Sequence, residues 1–225
     1  WVDADTGYGN AVNVYDTVKR IANTGAAAVM IEDQQWPKRC GHMAGKSIIP
    51  FEEAVSKIEA AAEARDEVAP DMLIKARTDA AGTHGIDEAI RRLNAYAAAG
   101  ADILFPDAVL TEEAITRTAD ELEDGYFSVN MGFGIRKRPT TPLIPAKQLE
   151  EMGVDAVIYP RLITAAATMG MKRALESLQA AVETPDEYEA PEQVVDWDEY
   201  MGLIGMDDIE AREERFAVPP GQTPE

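Results

Sequence analysis

Cys40 is the only cysteine of the chain, and His42 is one of its two histidines. Both lie in the segment Glu32-Asp33-Gln34-Gln35-Trp36-Pro37-Lys38-Arg39-Cys40-Gly41-His42-Met43-Ala44-Gly45-Lys46. A thiol flanked by Lys38, Arg39 and His42 sits in a positive local field. Such a field lowers its pKa and suits it to acid or base work near neutrality. A lone cysteine on an apolar stripe would read as inert packing. Cys40 lies instead beyond a proline, between charged residues and a glycine. Upstream, Asp3 and Asp5 are two apart, so on a strand they share a face. Two carboxylates on one face repel each other unless a cation lies between them. Oxygen-only donors suit a hard ion, Mg²⁺ or Mn²⁺. The alternative is that one aspartate caps the following helix and the other is solvated. Arg77, in Ala76-Arg77-Thr78-Asp79, has the fork to take a substrate carboxylate, or else pairs with Asp79 or Glu32.

These residues need elements to hold them. Apolar runs of strand length end in polar residues at Asp3, Glu32, Arg77, Asp107 and Asn130, and a sixth runs from Ala156 to Pro160. Between them lie segments of helical period, predicted over Asn13–Thr24, Phe51–Val68, Asp87–Ala99, Thr111–Leu122, Pro145–Met152 and Thr164–Val182. This alternation implies an α/β fold with parallel strands and right-handed crossovers. An open doubly wound sheet or a (β/α)₈ TIM-type barrel would satisfy it. The barrel explains more, because Asp3, Asp5, Glu32, Arg77, Asp107 and Asn130 all fall at strand C-termini, where barrels place their chemistry. No strand is followed by a phosphate-cradling GxGxxG or GxxxxGK[ST] loop, which weighs against a nucleotide-binding sheet. Six strands are two short of a barrel. The chain also starts at Trp1 inside a strand-like segment, so the first two strands are expected ahead of it. The predicted organisation is a partial catalytic barrel over 1–183, then an acidic linker and a C-terminal helical arm and tail over 184–225. Trp197, Tyr200, Met201, Leu203 and Ile204 make that arm a candidate subunit contact.

The bulk properties narrow the classes. The chain of 225 residues is 46% hydrophobic, which suits one globular domain with a sizeable core. A formal net charge of −20 argues against nucleic acid or an anionic membrane as partner of the whole surface. So acidic a surface on an ordinary core resembles that of proteins from high-salt cytoplasm. One cysteine excludes an internal disulfide. With no long apolar span or signal peptide in the sequence, a cytoplasmic location is expected.

Three motifs together resemble the isocitrate lyase/phosphoenolpyruvate mutase superfamily. They are Asp3-Ala4-Asp5-Thr6-Gly7-Tyr8-Gly9, Ile31-Glu32-Asp33-Gln34 followed by Lys38-Arg39-Cys40-Gly41-His42, and Ala76-Arg77-Thr78-Asp79. The resemblance covers about Trp1 to Val182, and the Cys-Gly-His loop points to its lyase branch. It implies a (β/α)₈ barrel, Mg²⁺, a small tricarboxylate substrate, cleavage of a carbon–carbon bond, and a homo-tetramer built through C-terminal helices. By the same resemblance Asp3, Asp5 and Glu32 hold the metal and Cys40 is the acid/base. His42 tunes the thiol, Arg77 neutralises the oxyanion, and Gly41, His42, Arg77 and Asn130 bind substrate. Some positions depart from the isocitrate lyase pattern. Asn130-Met131-Gly132-Phe133-Gly134 is nearer 2-methylisocitrate lyase, Arg39 replaces a second lysine, and Asp107 stands where the family has glutamate. Met43-Ala44-Gly45-Lys46-Ser47-Ile48-Ile49-Pro50 is nearer isocitrate lyase. The expected activity is that of a halophilic archaeal isocitrate lyase of the glyoxylate cycle, giving glyoxylate and succinate. The alternative is a 2-methylisocitrate lyase giving pyruvate and succinate. A metal-binding scaffold without catalysis is a distant third.

Overall fold

The computed structural model describes residues 1–40, 45–134, 136, 141–185 and 189–217. Its strands are β1 (Val2–Asp3), β2 (Ala28–Glu32), β3 (Leu73–Thr78), β4 (Ile103–Pro106), β5 (Tyr126–Asn130) and β6 (Ala156–Ile158). They form one six-stranded sheet in the order β1-β2-β3-β4-β5-β6, and every neighbouring pair is parallel. Each strand lies beside the one before it, so the sheet winds in one direction. A doubly wound sheet would reverse at a switch point. The sequential order is that of a (β/α)₈ barrel, here an α/β half-barrel of six strands.

Local sequence explains the elements. β2 is Ala-Val-Met-Ile-Glu with all five residues buried, as a strand covered on both faces should be. Helix α1 (Ala11–Ala22) starts at Asn10, whose side chain accepts from the Asn13 backbone while the Asn13 side chain accepts from that of Asn10. Its Val14 and Val18, one turn apart, are buried. Helix α2 (Phe51–Val68) turns Ala54, Ile58, Ala61, Ala62 and Ala64 inward. Small residues there let it lie close to α1 and the sheet. The short α3 (Ala80–Thr83), absent from the sequence expectations, follows Asp79 directly. Helix α4 (Ile86–Ala98) buries Ala89, Ile90, Leu93 and Tyr96, and α5 (Glu112–Glu121) is capped by Thr111 accepting from Ala114 N. Helix α6 (Ala146–Glu151) buries Leu149. One apolar cluster runs from Ala4 and Val14 through Ile31, Ile58 and Ile74 to Leu104; a second joins Val109, Ile115, Phe127, Val129, Met131 and Leu149.

The chain divides into two compact units, Trp1–Leu162 and Ile163–Glu225. The helices α7 (Leu162–Glu183), α8 (Trp197–Leu203) and α9 (Met206–Phe216) contain no buried residue. Leu175, Leu178 and Val182 make an exposed apolar stripe at helical spacing on α7. No described helix is long and apolar enough to cross a membrane.

One core position is costly. Lys75 on β3 is fully buried and donates to Ser128 Oγ at 2.8 Å. The rings of Trp1 and Phe105 face its ammonium at 4.2 and 4.6 Å, which offsets part of the cost of burying charge. Burial, assisted by repulsion from Arg77, lowers its pKa to about 7. The unfolded chain holds that proton to about pH 10.4. Stability should therefore climb as pH rises from about 7 toward 10, the range in which the unfolded state alone still holds the proton. Lys75→Met should raise stability to urea at neutral pH by a few kcal/mol and remove that climb. An unchanged pH slope in the variant would contradict this.

Candidate active site

Parallel register brings the acids and the arginine together. Glu32 pairs with Arg77 across β2 and β3, and Thr78 with Pro106 across β3 and β4. The residues following these strand ends, Asp33, Asp79 and Asp107, therefore crowd the same edge. Arg77 lies at the centre. Its Nε and Nη2 donate to Asp79 Oδ2 and Oδ1 at 2.9 and 3.1 Å. Its Nε is 3.4 Å from Glu32 Oε2 and its Nη2 is 3.3 Å from Asp107 Oδ2. Burial works against the guanidinium charge, but Asp107, Asp79 and Glu32 outweigh it and raise the Arg77 pKa. Burial also works against ionisation of Asp79; Arg77 and Lys46 outweigh that and hold its carboxyl below the usual range. Lys46 is nearly buried, with Nζ 2.7 Å from Asp79 Oδ1 and 3.9 Å from Asp107 Oδ2.

Glu32 is different. It is 2% exposed, yet neither carboxylate oxygen has a hydrogen-bond partner among the described residues. Its contacts with Arg77 and Lys38 are ion pairs at 3.4 Å, too long for hydrogen bonds. Burial prevails over both cations and pushes its carboxyl up to about 7. Asp107 Oδ2 is likewise buried without a hydrogen bond, while its Oδ1 accepts from Asn130 Nδ2 at 3.2 Å.

Asp3 and Asp5 converge by a turn and not by strand alternation, which corrects the sequence expectation. β1 ends at Asp3, and Asp5 has φ of +52°, so its backbone has left the strand. Asp5 N donates to Asp3 Oδ1 at 2.9 Å, and Asp5 O accepts from Glu32 N at 2.8 Å. The Lys38 ammonium contacts Asp5 Oδ1 and lies 3.4 Å from Glu32 Oε1. A positive charge thus bridges the acids that the sequence assigned to a metal. Among the described residues, no three histidine, cysteine or acidic side chains stand in closed metal-binding geometry. The donors still fit a hard cation. They are all oxygen, and Glu32 offers two bare buried acceptors beside Asp5.

The thiol is placed by a clamp. Gln34 Nε2 donates to Arg39 O and Arg39 N donates back to Gln34 Oε1, both at 2.9 Å. Gln35 N donates to Ser47 O at 2.8 Å, which closes the stem of the loop. Cys40, next to the clamped Arg39, is partly buried, and Arg161 Nη2 lies 3.0 Å from its Sγ. Lys38 was expected to act on the thiol, but it pairs with Asp5 and Glu32. Gly41 and His42 lie outside the described residues, as do Met43 and Ala44. For the fork of Arg77 the sequence left open a substrate carboxylate or a pair with Asp79 or Glu32; here Asp79 takes it, and Nη1 is the group left without a hydrogen bond among the described residues.

Sequence reasoning missed the support beneath these groups. Asp33 is buried and accepts from Thr78 Oγ1 at 2.7 Å, Asp79 N at 2.9 Å, Tyr96 Oη at 2.8 Å and Arg92 Nη1 at 3.1 Å. It ties the ends of β2 and β3 to α4 and so fixes Asp79. Only its place next to Glu32 hinted at this. Asp33→Ala would leave Arg92 and Tyr96 buried with donors unmet, and should cost about 3 kcal/mol in urea unfolding. A loss below about 1 kcal/mol would show that Asp33 does not anchor the strand ends.

Comparison with known proteins gives a consistent picture. A family model described as phosphoenolpyruvate phosphomutase matches residues 1–179. The chain is 42% identical over 217 residues to 2,3-dimethylmalate lyase of Eubacterium barkeri, covering 96% of this chain and 71% of that protein. It is 38% identical over 212 residues to 2-methylisocitrate lyase of Aeropyrum pernix, covering 94% of this chain and 65% of that protein. Among solved structures, a 2,3-dimethylmalate lyase of the PEP mutase/isocitrate lyase superfamily superposes with a TM-score of 0.82 at 30% identity, covering all of this chain and 72% of that one. A phosphonopyruvate hydrolase in complex with oxalate and Mg²⁺ superposes with a TM-score of 0.76 at 27% identity, covering 96% and 72%.

Proposed function

The chain belongs to the phosphoenolpyruvate phosphomutase/isocitrate lyase superfamily, and from that premise we propose that it is a Mg²⁺-dependent carbon–carbon lyase for a methyl-bearing 2-hydroxycarboxylate. The relatives named above act on 2,3-dimethylmalate and 2-methylisocitrate by their names. This favours the 2-methylisocitrate lyase alternative over isocitrate lyase itself. The segment Asn130 to Gly134 agrees with that preference. Both named compounds carry a methyl group on the hydroxyl-bearing carbon, so cleavage of the adjacent bond gives pyruvate from either. The chain spans about two thirds of the relatives' length, so this activity is proposed for the whole protein. Its half-barrel would be completed there by two further strands.

The observation that carries the reading is the bare, buried Glu32 carboxylate beside Asp3, Asp5 and Arg77. Asp3, Asp5 and Glu32 would hold Mg²⁺, which when bound polarises the substrate's hydroxyl and carboxylate oxygens. Lys38 would give up its contact with Asp5 to make room. Arg77, locked by Asp79, offers a fixed positive charge to the oxygen that becomes the carbonyl. As the carbon–carbon bond breaks, its electron pair passes to the carbon next to the remaining carboxylate. Cys40 donates its proton to that carbon, the substrate hydroxyl gives its own proton to solvent as the carbonyl forms, and a solvent proton then restores the Cys40 thiol. Asn130 orients the same substrate end. The exposed apolar stripe of α7 and Trp197 and Leu203 of α8 support a role for the C-terminal helices as subunit contacts.

The test is product formation by the full-length protein with Mg²⁺ in concentrated KCl. 2-Methylisocitrate, 2,3-dimethylmalate and isocitrate are offered separately and the 2-oxo acid is trapped. Pyruvate from a methylated substrate should form with kcat/KM at least about tenfold above that for glyoxylate from isocitrate. Dominant glyoxylate would restore the isocitrate lyase reading. Cys40→Ser should lower turnover by about 100-fold or more and leave Mg²⁺ binding intact.

A further inference from the structure

We propose that Arg161 poises Cys40 by stabilising the thiolate that proton donation leaves on its sulfur. The inference rests on the reading of Cys40 as acid and base. Arg161 stands 121 residues beyond Cys40, in the turn after β6, and its Nη2 comes within 3.0 Å of Sγ. A guanidinium has donors only and stays charged, so at this distance it favours the thiolate over the thiol. Proton donation to a carbanion leaves a thiolate behind. A cation already aimed at the sulfur stabilises that product without rearrangement.

The turn is built for this contact. Arg161 has φ of +62°, a conformation that a long side chain rarely adopts. The backbone around it is braced by Gly134, from the loop after β5. A Cβ added at Gly134 would lie 2.5 Å from both Pro160 O and Leu162 N, and 2.6 Å from Arg161 C. The chain therefore needs a glycine there for the turn to sit where it does. The described charged residues nearest Cys40 in its own segment of the sequence are Lys38, Arg39 and Lys46, and Tyr159 is the titratable residue two before Arg161. Lys38 pairs with Asp5 and Glu32, and Lys46 with Asp79. Arg39 flanks Gly45, its Nη1 3.3 Å from where a Cβ there would be. Among the described residues, Arg161 Nη2 lies at hydrogen-bond distance from Sγ.

Arg161 touches the thiol and not the reacting carbon, so it is a positioning residue, and its test needs more than activity. The rate of iodoacetamide alkylation of the full-length protein is followed against pH, with Cys40→Ser identifying the signal of this thiol. Arg161→Met should raise the apparent thiol pKa by about one unit and lower kcat about tenfold or more, with KM changed less than about twofold. Arg161→Lys keeps the charge but loses the planar fork, and should shift the thiol less than Arg161→Met does. An unchanged thiol titration in Arg161→Met, or equal shifts in both variants, would overturn the proposal. Full turnover by Cys40→Ser would instead remove the acid role of Cys40, whatever the alkylation profiles show.

Discussion

Arg77 is a nearly buried cation touching three carboxylates, Glu32, Asp79 and Asp107. Much of the site follows from that arrangement. A buried guanidinium is tolerated only if its donors are met, and Asp79 meets two of them in a fork. Asp79 can do this because Asp33 pins its backbone and Lys46 shares its charge. Glu32 and Asp107 then approach Arg77 without the hydrogen bonds that would satisfy them. The sheet positions all of these groups through parallel register alone, since Glu32 and Arg77 are paired residues of adjacent strands. The core beneath supplies rigidity, and the strand ends supply unsatisfied charge.

Positive charge is shared out with some economy. Lys38 lies in the loop beside the thiol, yet it neutralises Asp5 and Glu32. Arg161, from the opposite end of the described sheet, reaches the sulfur instead. The same loop therefore links the acid cluster to the thiol. Displacement of Lys38 by a divalent cation would free its ammonium within the loop that carries Cys40.

Much of this was legible in the sequence. Six apolar runs, most of them ending in polar residues, marked the six parallel strands, because period and length separate buried strands from helices. Glu32, Arg77 and Asp107 could be placed at one edge because strand C-termini cluster in such a fold. Other features could not be read locally. The alternation argument put Asp3 and Asp5 on one strand face, but the left-handed backbone at Asp5 ends the strand first. The lysine beside the thiol looked like its partner, and only the folded chain shows that a carboxylate takes it. Arg161 carries no signal at all in sequence, since its role depends on a contact 121 residues away and on the clearance at Gly134. Side chains that serve long-range contacts become recognisable once the topology is known.

The most direct test of this account is the thermal unfolding of full-length wild-type protein and Glu32→Gln, each with and without Mg²⁺. The ionised Glu32 side chain is buried at a net cost, which is why its carboxyl is pushed up to about 7. A neutral amide of the same shape should leave the metal-free protein as stable as wild type or more so. Mg²⁺ should raise the Tm of wild type and leave that of Glu32→Gln nearly unchanged, because a cation that binds only the folded state stabilises it. A variant that is destabilised without Mg²⁺ and still responds to it as wild type does would contradict the account. Glu32 would then be a structural partner of Arg77, and the cation site would lie elsewhere.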